Sequence, residues 1–336
     1  MSRPLVSCLL VTYNQEAFVA EAIQSLLQQT YSPLEVVVSD DASSDQTYEI
    51  LQRIVQSYRG PHRLILRRNA QRRNVVGHLA EAMPSTTGEF IVVAAGDDVS
   101  LPGRVERLVQ VWEDSGREIH AMNSDLQQID EHGARGIALS GCGDRADVKL
   151  EDFVAHAATL FGASAAYSRA VFDRFGPLDP FNIFEDQVLP FRAALLGRVV
   201  SIREPLVLWR RLRGSNSVQF LDRPAQARAR LAKIIYQQQQ LACYQAQRLA
   251  DIEWFLARGG TVSRDLAPLV AVLRKSQADA AAAATALQSR RPIMALLGAA
   301  LQARLGWKPA LKLLTLYRAP GLSDWWYRVR MGRAAR

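Results

Sequence analysis

GEFIVVAAGDDVSLP, residues 88–102, is the stretch that decides the reading of this chain. The run from Phe90 to Ala95 is unbroken apolar sequence bounded by glycines, the pattern of a strand buried on both faces. It empties into two adjacent carboxylates, Asp97 and Asp98. In open α/β sheets ligands bind beyond the carboxyl ends of the strands, so the pair sits where a metal or a polyphosphate is expected. The same letters also read as an acidic turn, with Ser100 and Pro102 leading into a helix from Arg104. Spacing alone leaves both readings open.

Working outward, the chain repeats one unit. Residues 5–11 form a continuous apolar segment suited to a buried strand, and residues 14–29 carry Phe18, Ala22, Ile23 and Leu26 at helical spacing. A second strand, 34–38, ends in Ser39, Asp40 and Asp41, after which Ser43 or Ser44 can cap a helix through Ile50, Leu51 and Ile54. Strand 64–66 and helix 75–82 then lead to the opening stretch. This alternation predicts a parallel sheet with right-handed crossovers and helices on both faces. Farther on, a helix is expected at 104–112, strands at 119–124, 199–202 and 206–209, and a loop at 140–147. Residues 161–167 are expected to pair back into the sheet. Glu185 and Asp186 open a helix that stops at Gly197, where first-turn acids are stabilised by the helix dipole. From about residue 220 the sequence turns to Gln, Ala, Leu and Arg at helical spacing. We therefore expect an α/β domain over 1–220 and a helical region over 221–336.

Composition is that of a soluble globular protein, 49% hydrophobic and 22% charged. Cys8, Cys142 and Cys243 lack the spacing of a zinc or redox site, which points to a reducing compartment. The N-terminal sequence shows no export signal, and no apolar run approaches the roughly 20 residues that cross a bilayer. The location expected is cytoplasmic. The net charge of +8 is concentrated at the end of the sequence. From Leu287 onward ten Lys and Arg residues face the single acid Asp324, interleaved with Trp307, Tyr317, Trp325, Trp326 and Tyr327. This is the composition of a segment lying on an anionic membrane surface, or of a helix with a basic outer face.

Three acidic pairs stand at strand ends or helix starts: Asp40 with Asp41, Asp97 with Asp98, and Glu185 with Asp186. Buried carboxylates are costly unless a cation or hydrogen-bond donors compensate them. Hard oxygen ligands select Mg²⁺ or Mn²⁺, ions that bridge phosphates. The five histidines, His62, His78, His120, His132 and His156, are scattered and form no zinc pattern.

Taken in order, VSCLLVTYN (6–14), AIQSLLQQTY (22–31), EVVVSDDASSD (35–45), residues 88–102 and Glu185-Asp186 resemble the motifs of the inverting family 2 glycosyltransferases. The resemblance covers about the first two-thirds of the chain and implies the GT-A fold, a Rossmann-like, mostly parallel sheet, followed here by a helical appendage. It implies that Thr12, Tyr13, Asn14, Asp40, Asp41, Arg73, Asn74 and Asp97 lie near the donor nucleotide, with Tyr13 offering an aromatic face and Asp41 accepting from the base imide. Asp98, with Asp97, would hold Mn²⁺ or Mg²⁺ on the diphosphate. Many members carry an acid where Ala95 stands, so the diphosphate and water would complete the coordination. Asp186 resembles the catalytic base, with Glu185 an orienting neighbour. Gly162, Ala163 and Ser164 would line the acceptor side. Arg210, Arg211 and Arg213, like Arg72 and Arg73, offer guanidinium forks for diphosphate oxygens.

These expectations describe a metal-dependent inverting glycosyltransferase. Its donor is a nucleotide-diphosphate sugar, and its acceptor a saccharide or lipid-linked saccharide in bacterial surface polysaccharide or glycolipid synthesis. Two rival readings make different demands on the sequence. A nucleotidyltransferase would need a Gly-rich phosphate loop after the first strand, where Thr12, Tyr13 and Asn14 stand instead. A nucleic-acid binder would carry its positive charge across the α/β domain rather than at the end of the chain.

Overall fold

The computed structural model describes residues 3–143, 145–155, 157–212, 227–262, 265–289, 291–301 and 305–318. The chain divides into two units, Met1–Leu212 with Asp251–Val262, and Arg213–Ala250 with Ser263–Arg336. Asp251–Val262 thus belongs with the first unit, although it lies beyond the break expected near residue 220.

The first unit opens with β1 (Val6–Thr12), α1 (Val19–Leu27), β2 (Leu34–Asp40), α2 (Thr47–Ser57), β3 (Arg63–Arg68), α3 (Asn74–Ala82) and β4 (Phe90–Ala95). These strands lie in the order β3-β2-β1-β4, all parallel. Nearly every residue of β1, β2 and β4 is buried, as a sheet covered by helices on both faces requires. On α1, Val19, Ala22, Ile23 and Leu26 form one apolar stripe against that sheet. Each of the larger side chains contributes about 1.5–3 kcal/mol when fully buried. The register pairs Val11 with both Ser39 and Ala95, and Thr12 with Asp40. Three carboxyl ends therefore meet at one edge of the sheet.

The second half of the unit comprises β5 (Val99–Ser100), α4 (Arg104–Asp114), β6 (Ile119–Ile129), β7 (Arg135–Leu139), β8 (Asp147–Val148), α5 (Leu150–Val154), β9 (Ala165–Ser168), α6 (Ala170–Asp173), α7 (Glu185–Leu196) and β10 (Arg198–Arg210). Here the sheet is mixed. β9 runs antiparallel between β4 and β6, while β6 and β10 are parallel. The strands expected at 199–202 and 206–209 are one strand whose register shifts around Pro205. Proline cannot donate to the ladder and is accommodated at a bulge. Within the same unit, the bidentate pair from Arg192 to Asp251 (2.9 and 2.7 Å) is almost wholly buried. Phe255 stacks on Phe175, their centroids 5.9 Å apart.

The second unit contains most of α8 (Ala227–Ala257), with α9 (Ala267–Gln288), α10 (Pro292–Leu301) and α11 (Trp307–Arg318). Its core joins Ile234, Ala283, Leu287, Leu296, Leu305 and Leu313, so the alanine-rich stretch of α9 is a close-packed helix. Among the described residues no helix is long and apolar enough to cross a membrane.

Candidate functional site

The acidic turn after β4 is held from below by two buried arginines. Asp98 is only 6% exposed, and its Oδ1 accepts the backbone N–H of Arg210 at 2.8 Å. Asp97 is half-buried and hydrogen-bonded by the Gln15 side chain. The Arg210 guanidinium donates to the Asp97 carbonyl (3.0 Å), the Asp130 carbonyl (2.9 Å) and Glu21 (2.6 Å), and stacks over Phe18. Arg210 is therefore committed to building the turn and leaves no fork for a diphosphate. Its neighbour Arg211 is exposed beyond the end of β10; Arg213 lies outside the described residues. Arg104 is fully buried and donates to Ser100 Oγ (2.9 Å), the Val93 carbonyl (2.8 Å) and the Ala163 carbonyl (3.1 Å).

Burial raises the Asp97 carboxyl and raises that of Asp98 well above the usual range, the Asp97 charge adding to the second; Arg210 and Arg104 oppose the shift. Among the described residues no group of three His, Cys, Asp or Glu could hold a metal ion, and half-buried Ala95 offers no third carboxylate. Two hard carboxylates whose charge is opposed by burial fit a divalent cation that takes its remaining ligands from diphosphate oxygens and water.

The residues expected near the nucleotide lace two loops together. Asp40 is fully buried, accepts from the Ser43 backbone N–H at 3.0 Å, and pairs with Arg68 at 3.2 Å. Ser43 thus serves Asp40 and the Asn14 amide (2.9 Å) rather than capping α2, whose N-cap position is Gln46. Asn14 Oδ1 accepts from Ser44 N–H at 2.9 Å. Asp41 accepts from Asn69 Nδ2 (2.7 Å) and from the backbone N–H groups of Arg73 (2.9 Å) and Asn74 (3.1 Å). The carboxylate thereby fixes the loop that carries Arg72, Arg73 and Asn74, all exposed. The Arg72 guanidinium lies 4.1 Å from the centroid of the Tyr13 ring. Asn14, Ala42 and Asn74 have φ of 50°, 59° and 60°. The left-handed conformation is costly for alanine, and such strain concentrates at functional loops.

The residues expected on the acceptor side come from α7 and the turn Gly162–Ser164. Glu185 and Asp186 occupy the first turn of the helix. Desolvation pushes Glu185 up to about 8, with the Asp186 charge adding, and pushes Asp186 to about 6; backbone N–H groups pull both back. A Cβ added at Gly162 would stand 2.9 Å from Glu185 Oε1, so the glycine leaves room for that carboxyl. Ser164 is buried and donates to the Ser124 carbonyl at 2.8 Å, a structural bond, while Ala163 is half-buried. The Asp97–Asp98 and Glu185–Asp186 pairs are thus linked through protein: β4 and the acidic turn, Arg104, the Ala163 carbonyl, Gly162, Glu185.

Gln15, Arg104 and Asn69, with the group that Asn69 forms behind Asp41, lie outside the motifs legible in the sequence. In that group Asn69 Oδ1 accepts from Arg67 (2.7 Å), and the Ser39 hydroxyl bonds Arg67 (2.6 Å) and His78 (2.7 Å). Arg104 had a legible signal: a charge on the stripe of α4 that otherwise holds Val105, Leu108, Val109 and Trp112. Of the other histidines, His62 and His120 are bonded to Gln29 and Ser168, and His156 lies outside the described residues.

A mixed sheet ending in an acidic turn, with a second pair of carboxylates at the start of α7, is the architecture of a GT-A glycosyltransferase. Residues 7–175, just over half the chain, match the model of "Glycosyl transferase family 2". The chain belongs to that family. An uncharacterized glycosyltransferase of Nostoc sp. is 26% identical over 63% of this chain and 66% of its own length. The chain thus covers slightly under two-thirds of that relative. S. aureus TarS 1–349 in complex with UDP-GlcNAc superposes with a TM-score of 0.56 at 16% identity, over 97% of this chain and 92% of that one. Mannosyltransferase PcManGT from Pyrobaculum calidifontis, in complex with GDP-Man and Mn²⁺, gives 0.53 at 21% identity, over 94% and 85%. These likenesses establish the fold.

Proposed function

We propose that this glycosyltransferase moves a sugar from a nucleotide-diphosphate donor to a hydroxyl of a saccharide or lipid-linked saccharide with inversion, in bacterial surface polysaccharide or glycolipid synthesis at the cytoplasmic face of a membrane. The observation that carries the reading is Arg104, which ties β4, below the Asp97–Asp98 turn, to the turn against which Glu185 packs. Donor and acceptor sides are thereby held by one buried cation. The nucleotide lies along Thr12, Tyr13, Asn14 and the loop fixed by Asp41, its base taking the Tyr13 face over which Arg72 now lies. Asp98 and Asp97 would hold Mn²⁺ or Mg²⁺, as the PcManGT complex with GDP-Man and Mn²⁺ supports by analogy. When bound, the ion neutralises charge on the leaving diphosphate.

Asp186 accepts the proton of the acceptor hydroxyl as its oxygen attacks the anomeric carbon from the face opposite the diphosphate. A carboxyl raised to about 6 remains largely ionised at neutral pH and is a stronger base than an ordinary aspartate. Glu185, held protonated near neutrality, adds no second negative charge beside it. Arg211, exposed beyond the end of β10, supplies a guanidinium for the phosphate oxygens. The test is donor turnover by wild type and Asp186→Asn, with the product anomer read by NMR. We expect a loss of roughly 10²–10⁴-fold with donor affinity retained. Turnover at the wild-type rate would remove Asp186 from its role, and a product of retained configuration would remove single displacement.

A further inference from the structure

The two C-terminal described helices carry large apolar side chains on their outer surfaces. On α11, Trp307 and Leu311 are 57% and 65% exposed, while Ala310 and Leu313 are buried in the helical core. Four residues apart, Trp307 and Leu311 share one face. On α10, Met294 and Leu301 are 64% and 74% exposed, and Leu296 and Ala300 point into the same core. Seven residues apart, they too share a face. Two exposed cations are close in sequence, Arg291 three residues before Met294 and Lys308 directly after Trp307. The sequence from Leu287 onward carries ten basic residues against one acid.

Resting on the reading that the acceptor is lipid-linked, we infer that α10 and α11 dock on an anionic lipid bilayer. Met294, Leu301, Trp307 and Leu311 enter the headgroup boundary, and the cations meet lipid phosphates. Charge selects the occupant. A second copy of this chain would bring Arg291 and Lys308 against the same two cations, whereas anionic lipid complements them, at about 1 kcal/mol per Lys or Arg near the surface. A tryptophan beside basic residues suits an interface that is apolar on one side and wet on the other.

The experiment is co-sedimentation of the full chain with vesicles of phosphatidylcholine alone and of phosphatidylcholine with phosphatidylglycerol. Trp307→Ser/Leu311→Ser and Met294→Ser/Leu301→Ser are compared with wild type, and circular dichroism and sedimentation velocity report fold and oligomeric state. Binding is expected only to the anionic vesicles, to weaken with salt, and to fall at least about tenfold in each variant with the fold unchanged. Vesicle binding unaltered by both variants, no binding by wild type, or a wild-type dimer that the variants dissociate would each overturn the inference. Donor binding measured without vesicles tests the enzymatic reading separately, so either result can fail alone.

Discussion

Replacing Glu185 by Gln should make the protein more stable, although the residue lies in the candidate site. The Glu185 carboxyl sits at about 8 in the folded chain against an ordinary 4.5. Desolvation is the main cause and the Asp186 charge adds to it. A raised carboxyl means that the native state binds more protons than the unfolded state between those two values. Stability therefore falls as pH rises from about 4.5 to 8 and levels off above. Complete burial would set a ceiling of about 5 kcal/mol, at 1.36 kcal/mol per unit. Glu185 retains some access to solvent, which lowers the expected penalty to about 1–3 kcal/mol. Glutamine keeps the shape and cannot ionise, so Glu185→Gln should raise Tm at pH 8 by roughly 3–9 °C. The gain should shrink toward zero at pH 4.5. Differential scanning calorimetry of both proteins across that range is the assay. A variant less stable at pH 8, or a difference that does not change with pH, would refute the argument.

Asp251→Ala should destabilise the first unit by about 3–5 kcal/mol, because it leaves Arg192 buried without its carboxylate; Arg192→Met/Asp251→Leu should recover most of that in the same melts. Arg104→Met removes three hydrogen bonds from a guanidinium that burial already pushes down to about 10. With the Val93 and Ala163 carbonyls left unpaired, it should cost about 2–4 kcal/mol and lower kcat more than it raises donor KM. Steady-state kinetics with an unchanged kcat would contradict the bridging role.

What the sequence made legible follows from which forces act locally. Phe90–Ala95 is a strand with the expected limits because glycines bound a run that must be buried on both faces. The insertion of β9 antiparallel between β4 and β6 was not legible, since an apolar run carries no mark of strand direction. Pro205 reads locally as a break, yet the parallel pairing with β6 carries β10 across it at a bulge. The acids after β2 and β4 stood out as pairs. That Asp40 is spent on Ser43 and Arg68, and Arg210 on the acidic turn, depends on residues up to 189 positions away in sequence. Asp251–Val262 joins the first unit through Asp251 and Phe255, single side chains in a helix whose periodicity is uniform.

The central claim is that the Asp97–Asp98 turn holds a nucleotide-diphosphate sugar through a divalent cation. Its most direct test is calorimetric titration of UDP-, GDP- and dTDP-sugars into wild type and Asp98→Ala, with and without Mn²⁺. We expect at least one donor to bind wild type, more tightly with Mn²⁺, and the metal-dependent part to vanish in Asp98→Ala. No binding of any donor, or identical Mn²⁺-dependent binding to both proteins, would contradict it.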